Sequence, residues 1–268
     1  MGRATFLRGL SGFPAMLLCT LAATPSIAED MPKGFVYLRD ADPTILQDMR
    51  YGTANNFVGK TIPGYEAPEC VLVKEAAEAL KAVQAELREK RLTLKVYDCY
   101  RPARAVKAFV GWAKLPDDPK AKSTYYPELE KSALLPDYIA TVSSHSRGAT
   151  VDLTMVPLDA SSGPTTPAAG AAMPCTASLG ERTPDSSIDM GTNFDCFDVK
   201  AHTHVSGLTP DQRQNREMLV EAMRRHGFKN YAKEWWHYTL EGEPYPTTIF
   251  DFPIAPSEQG EPQEGTKE

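Results

Sequence analysis

The chain has 268 residues, 42% hydrophobic and 24% charged, and carries 29 Lys+Arg against 35 Asp+Glu for a formal net charge of −6. That length and balance suit one globular domain with a sizeable core. An acidic chain without a basic stripe argues against nucleic-acid binding, and no apolar run reaches the roughly 20 residues of a membrane span.

Residues 1–28 read as a secretory signal peptide. Arg3 and Arg8 form a positive start, residues 13–23 an apolar stretch, and Ser26-Ile27-Ala28 a small-x-small cleavage site before Glu29. A lipoprotein attached through Cys19 is the weaker alternative, because bulky Leu18 precedes it. Removing the segment takes away two arginines and no acid, leaving 27 basic against 35 acidic residues, a net charge of −8. The expected home is periplasmic or secreted. There, the remaining Cys70, Cys99, Cys175 and Cys196 are expected to form two disulfides. Cys175 and Cys196 bracket a loop-like stretch, which favours that pair and leaves Cys70–Cys99 as its complement.

In chain order, residues 73–91 place Ala76, Leu80, Val83 and Leu87 at helical spacing, predicting an amphipathic helix. Leu92, Leu94 and Val96 then alternate with polar residues as a strand does. This strand runs into Asp98-Cys99-Tyr100-Arg101-Pro102, with Pro102 opening a helix to about Lys114. Val151, Leu153 and Met155 mark a second strand with Asp152 on its polar face, and residues 235–240 a third. Residues 157–190, rich in Pro, Gly, Ser, Thr and Ala, read as a long surface loop or insertion. Thr209-Pro210-Asp211-Gln212 is a capping-box start for a helix that stops near Gly227. From about Ala255 the composition predicts a disordered tail, so the domain spans 29–255 and the tail 256–268. No βαβ rhythm is present. The expected class is α+β, with a central antiparallel sheet flanked by helices.

The chemistry lies among five histidines. His145 sits in Ser143-Ser144-His145-Ser146-Arg147-Gly148, a turn leading into the strand that carries Asp152. Imidazole nitrogen and carboxylate oxygen both suit Zn²⁺. By itself this pair reads as a solvated turn histidine beside an unrelated aspartate. Glu234-Trp235-Trp236-His237 changes the weighting by placing an acid and an imidazole in an aromatic setting, where burial raises a carboxyl pKa toward that of a general base. On a regular strand, positions three apart face opposite sides. Glu234 must therefore lie at a bend if it shares a site with His237. His145, Asp152 and His237 would hold one Zn²⁺ and leave a fourth position for water, with Glu234 as base and Arg101 opposite the developing oxyanion. His226 reads as a helix-end histidine, and His202-x-His204 as an alternative metal pair that lacks a companion base.

Asp98-x-Tyr100-Arg101-Pro102, the Ser-Ser-His-Ser-Arg-Gly run ending at Asp152, and Glu234-Trp235-Trp236-His237 together resemble the D-alanyl-D-alanine dipeptidases. These are the vancomycin-resistance-type members of the zinc D,D-peptidase superfamily, peptidase family M15. Residues 190–195 and 51–57 resemble further family segments, and the matches run in order over about 35–250. The resemblance implies a hedgehog/D,D-peptidase-like fold and the Zn²⁺ site and roles given above. It also implies Asp195 at the substrate ammonium, Ser143 and Tyr51 lining the dipeptide pocket, and Asp98 orienting Arg101. Cys99 and the long insertion depart from the family pattern. The leading expectation is hydrolysis of D-Ala-D-Ala, a small D,D-dipeptide, in cell-wall metabolism. The alternatives are a D,D-carboxypeptidase acting on stem peptides, a non-catalytic zinc module, and a periplasmic binding protein.

Overall fold

The computed structural model describes residues 1–2, 31–159 and 173–257. The signal-peptide expectation, the middle of the 157–190 insertion and the tail beyond residue 257 lie outside the described residues.

The centre of the molecule is β4 (Leu92–Asp98), and its surroundings follow from the sequence on either side. Ahead of it runs α2 (Lys74–Glu89), with Ala76, Leu80, Val83 and Leu87 buried as the helical spacing predicts. The predicted start is displaced by one residue, because Val73 has extended backbone and closes the short strand β3 (Val71–Val73). β3 pairs antiparallel with β1 (Phe35–Tyr37), which leads into the one-turn α1 (Leu38–Ala41). After β4 come α3 (Ala103–Ala113), entered through Pro102 as its N-cap, and α4 (Pro119–Tyr125).

Among the described residues the main sheet has the order β2-β4-β5-β7-β6, completed by β2 (Leu46–Gln47), β5 (Thr150–Pro157), β6 (Phe228–Asn230) and β7 (His237–Leu240). Its pairings are antiparallel except at β2, which runs parallel to β4 at one edge. The α+β expectation holds, with that parallel edge as the amendment. α5 (Pro210–Arg225) begins with the capping box read from Thr209 and Gln212, and packs against β6 and α2. It buries Leu219, Ala222 and Met223.

Two expectations about loops are corrected. The described second half of the 157–190 insertion contains no helix or strand, yet it is inlaid rather than superficial. Tyr97 Oη donates to Asp185 Oδ2 at 2.6 Å, Lys95 Nζ donates to the Asp185 carbonyl, and Met190 is fully buried. Polar composition marks a loop, but one residue of it, Asp185, answers two buried donors on β4, one with its carboxylate and one with its carbonyl. At the other end, order continues to Ser257, which is buried, and Tyr37 Oη donates to the Ala255 carbonyl at 3.1 Å.

Both favoured disulfides are present. Cys70–Cys99 has its Cα atoms 5.3 Å apart and Cys175–Cys196 has them 5.5 Å apart, within the ordinary range.

Candidate metal centre and active site

Sheet register builds the site. Asp98 on β4 lies opposite Asp152 on β5, which lies opposite His237 on β7. Residues directly opposite one another in antiparallel strands project to the same face. Three neighbouring strands therefore present three polar side chains in one row. The register of β4 shifts between Val96 and Asp98, an irregularity of the kind that re-aims a side chain at a sheet's functional end.

His145 comes from the turn before β5, where residues Ser144–Arg147 form one turn of 3₁₀ helix. Ser143 caps it by accepting from the His145 amide, and Gly148 ends it at φ 82°. A Cβ at Gly148 would stand 2.2 Å from the Phe35 ring, so both backbone angle and space demand glycine here. The bend required of Glu234 is also present. The Glu234 amide donates to Tyr231 O, and the His237 amide donates to Glu234 O in a turn before β7 begins. Glu234 Oε2 consequently lies 3.4 Å from His237 Nδ1.

His145 Nε2, His237 Nδ1 and Asp152 Oδ1 converge. The separations are 3.3 Å between the two nitrogens, 3.3 Å from His145 to Asp152 and 3.1 Å from His237 to Asp152. A tetrahedral ion with ligands at about 2.0–2.1 Å requires its ligand atoms to be about 3.3 Å apart. At His145 the rest of the network leaves Nε2 as a lone pair. The carbonyl of Cys99 accepts from His145 Nδ1 at 2.7 Å, and Ser144 Oγ lies 3.3 Å from His237 Nε2. Asp152 Oδ1 is buried without a hydrogen-bond partner. Such an orphaned acceptor is costly unless a cation answers it. The donor set and its spacing thus fit a metal ion, and these three residues form a metal-capable group among the described residues. Burial pushes the His237 imidazole below its ordinary value, toward the neutral form that can ligate. Burial would raise the Asp152 carboxyl, but His145 and His237 beside it hold it well below the usual carboxylate range.

Arg101 follows β4 and is held on several sides. Its Nε donates to Asp98 Oδ2 at 2.8 Å, a terminal nitrogen lies 3.5 Å from Asp152 Oδ2, and its guanidinium lies 5.1 Å from the ring centres of both Tyr51 and Phe109. Asp98 is fixed in turn by Tyr65 Oη at 2.6 Å. Asp195 is 5% exposed, with Tyr51 Oη 3.0 Å from each of its carboxylate oxygens. Burial, then the charge of Asp152, pushes its carboxyl up to about 8. Burial, then Asp152 and Asp195, likewise raises Glu234 well above the ordinary glutamate value.

Tyr51, Arg101, Ser143, Asp152, Asp195, Glu234 and His237 all face one cavity of about 280 Å³. The predicted residues are thus brought together, with His145 and Asp98 directly behind its wall. His202 stands apart with Nε2 3.3 Å from Tyr138 Oη, and His226 pairs with Glu86 at the surface, so neither adds to the centre. Sequence reasoning missed Tyr65, Phe109, Ser144 and the Cys99 carbonyl. A main-chain acceptor leaves no mark on residue type, and Tyr65 lies 33 residues from Asp98 in an irregular segment.

Comparison with known proteins places this site in a family. The model of the peptidase M15, D-ala-D-ala dipeptidase family matches residues 31–162 and 156–255. The D-alanyl-D-alanine dipeptidase of Enterococcus faecium is 36% identical over 225 residues, covering 84% of this chain and all of that protein. Those of Enterococcus faecalis and Streptomyces coelicolor are 36% and 35% identical over 226 residues, again across 84% of this chain and the whole of each relative. The chain belongs to the D-ala-D-ala dipeptidase family of metallopeptidases.

Proposed function

We propose that this protein hydrolyses D-Ala-D-Ala to two D-alanines with one Zn²⁺ held by His145, Asp152 and His237. The observation that carries this reading is that Asp195 shares one cavity with Asp152 and His237, two members of the cluster that His145 completes from behind the wall. A buried carboxyl there ionises readily only beside a cation, which suits a free ammonium group that a dipeptide has at that position and an acylated stem peptide does not.

When bound by His145, Asp152 and His237, such an ion would supply Lewis-acid polarisation and an activated water whose pKa is typically lowered to about 7. The protein's own groups do the rest. Asp195, with Tyr51 on its oxygens, receives the substrate ammonium, and Ser143 lines the pocket beside it. Arg101, already oriented by Asp98, faces the scissile carbonyl and balances the charge that grows on its oxygen. Glu234 takes the proton from the attacking water and delivers it to the departing amine, a task suited to a carboxyl raised above its ordinary value by burial.

The test is D-alanine release by the zinc-loaded protein from D-Ala-D-Ala, from its L,L isomer and from a pentapeptide ending in D-Ala-D-Ala. Turnover of the free D,D-dipeptide alone is expected. Lack of it would sink the reading, and preference for an acylated substrate would make the protein a D,D-carboxypeptidase. A periplasmic or secreted location is part of the proposal and is supported by the two disulfides, which persist in oxidising compartments. Among the described residues no helix is long and apolar enough to cross a membrane.

A further inference from the structure

Asp195 faces the cavity from a segment without helix or strand. Asp152 and His237 stand on paired strands, and His145 on a capped turn. Asp195 belongs to neither helix nor strand, and its backbone is in the left-handed region at φ 58°, where a residue with a Cβ is strained. Such a conformation persists only when its surroundings over-determine it.

Those surroundings are specific. Cys196, the next residue, is bonded to Cys175, and both are buried. The Asn193 amide donates to the Cys175 carbonyl at 3.1 Å, so the 193–196 segment is tied to Cys175 at both ends. Cys175 and Phe197 are anchored in turn, their amides donating to the carbonyls of Thr124 and Tyr125 at the end of α4, at 2.9 and 2.8 Å. On the other side of Asp195, the Phe194 ring stacks on Tyr97 of β4 at 4.5 Å. The sulfur bridge is thus the covalent part of a clamp around a single carboxylate, remote in the sequence from the metal ligands.

We infer that the Cys175–Cys196 disulfide is a positioning device for Asp195, setting how tightly the enzyme holds the substrate's ammonium without taking part in bond cleavage. The inference rests on the reading of Asp195 as the ammonium partner. It predicts a split between substrate binding and turnover that a general stabilising bond would not give.

The experiment compares Cys175→Ser/Cys196→Ser and Cys175→Val/Cys196→Ala with the parent, as full-length zinc-loaded enzymes acting on D-Ala-D-Ala. The second pair refills the buried volume if the serine pair does not fold. A KM increase of about tenfold or more is expected, with kcat within about threefold and zinc content unchanged. Adding either pair to Asp195→Asn should raise KM no further than Asp195→Asn does alone, because the bond acts through that carboxylate. An unchanged KM in a folded variant would overturn the inference. So would a joint fall of kcat and zinc content, or failure of both variants to fold, since each marks a general structural bond. Asp195→Asn with a parental KM would instead remove the ammonium reading itself, and the inference with it.

Discussion

The main-chain carbonyl of Cys99 accepts from His145 Nδ1 at 2.7 Å, and Asp98 Oδ2 lies 3.4 Å from the same nitrogen. This pair of acceptors fixes the imidazole tautomer and leaves Nε2 as a lone pair aimed at His237 and Asp152. An imidazole held this way is fixed in orientation toward a metal ion. Cys99 is cross-linked to Cys70, so the acceptor is covalently braced from behind.

Glu234 touches the centre without belonging to the three-ligand set. Glu234→Gln is therefore expected to keep its zinc while losing about 10²–10⁴ in kcat, the usual worth of a general base. Metal analysis alongside steady-state kinetics checks this, and full activity with zinc bound would show the base to be another group.

Arg101 makes a guanidinium-specific set of contacts with Asp98, Asp152 and two aromatic rings. A lysine has neither the planar fork nor the ring stacking, so Arg101→Lys should not behave conservatively. A kcat loss of about 10²–10³ is expected, with KM changed far less, as for removal of an oxyanion donor. Activity within a few-fold of the parent would place charge stabilisation elsewhere.

On the proposed reading, removal of the ion should cost stability as well as activity, because the residues that would hold it lie on two paired strands and on the turn before them. Zinc at about 1,000 times its Kd contributes about 4 kcal/mol to the folded state. Calorimetry with and without a chelator should show a lower Tm for the stripped protein, restored by zinc. An Asp152→Asn variant should show little further loss on chelation. Identical melting of the stripped and loaded parent would mean that the three residues hold no ion.

Away from the site, Glu86 on α2 meets Arg225, His226 and Lys90, and the hydrogen bonds from Arg225 lead in holding its carboxyl down at about 2 from an ordinary 4.5. A depressed carboxyl stabilises the fold above its unfolded value, and that contribution fades as pH falls toward the folded one. Glu86→Gln should thus cost up to about 1 kcal/mol at neutral pH, given the exposure of this pair. The difference should shrink between pH 4.5 and 2. Urea denaturation of both proteins across that range tests it, and a gap constant with pH would exclude the ion pair as its source.

The sequence was most legible where periodicity and chemistry coincided. The spacing of Ala76, Leu80, Val83 and Leu87 reported α2 because a helix facing a sheet must bury one stripe. His237 and Glu234 could be joined only by assuming a bend, and the turn before β7 supplies it. Tyr51 and Asp195 were reached through family motifs alone, since their contact spans 144 residues of chain and neither sits in a patterned element. Composition marks 157–190 as a loop but cannot register that Asp185 faces Tyr97 and Lys95. Long-range pairing of polar groups is decided by tertiary packing, to which local pattern is blind.

The row that runs Asp98, Asp152, His237 across three strands has a temporal side. Among the described residues β7 is the last strand of the sheet in chain order, and it carries His237, the last of the three proposed ligands. A chain cut short before β7 would keep α2 and β4 but have nothing to complete the metal's shell. If the proposed ligands hold the ion, metal content reports that the chain has been made at least as far as β7 and that β7 has paired with β5.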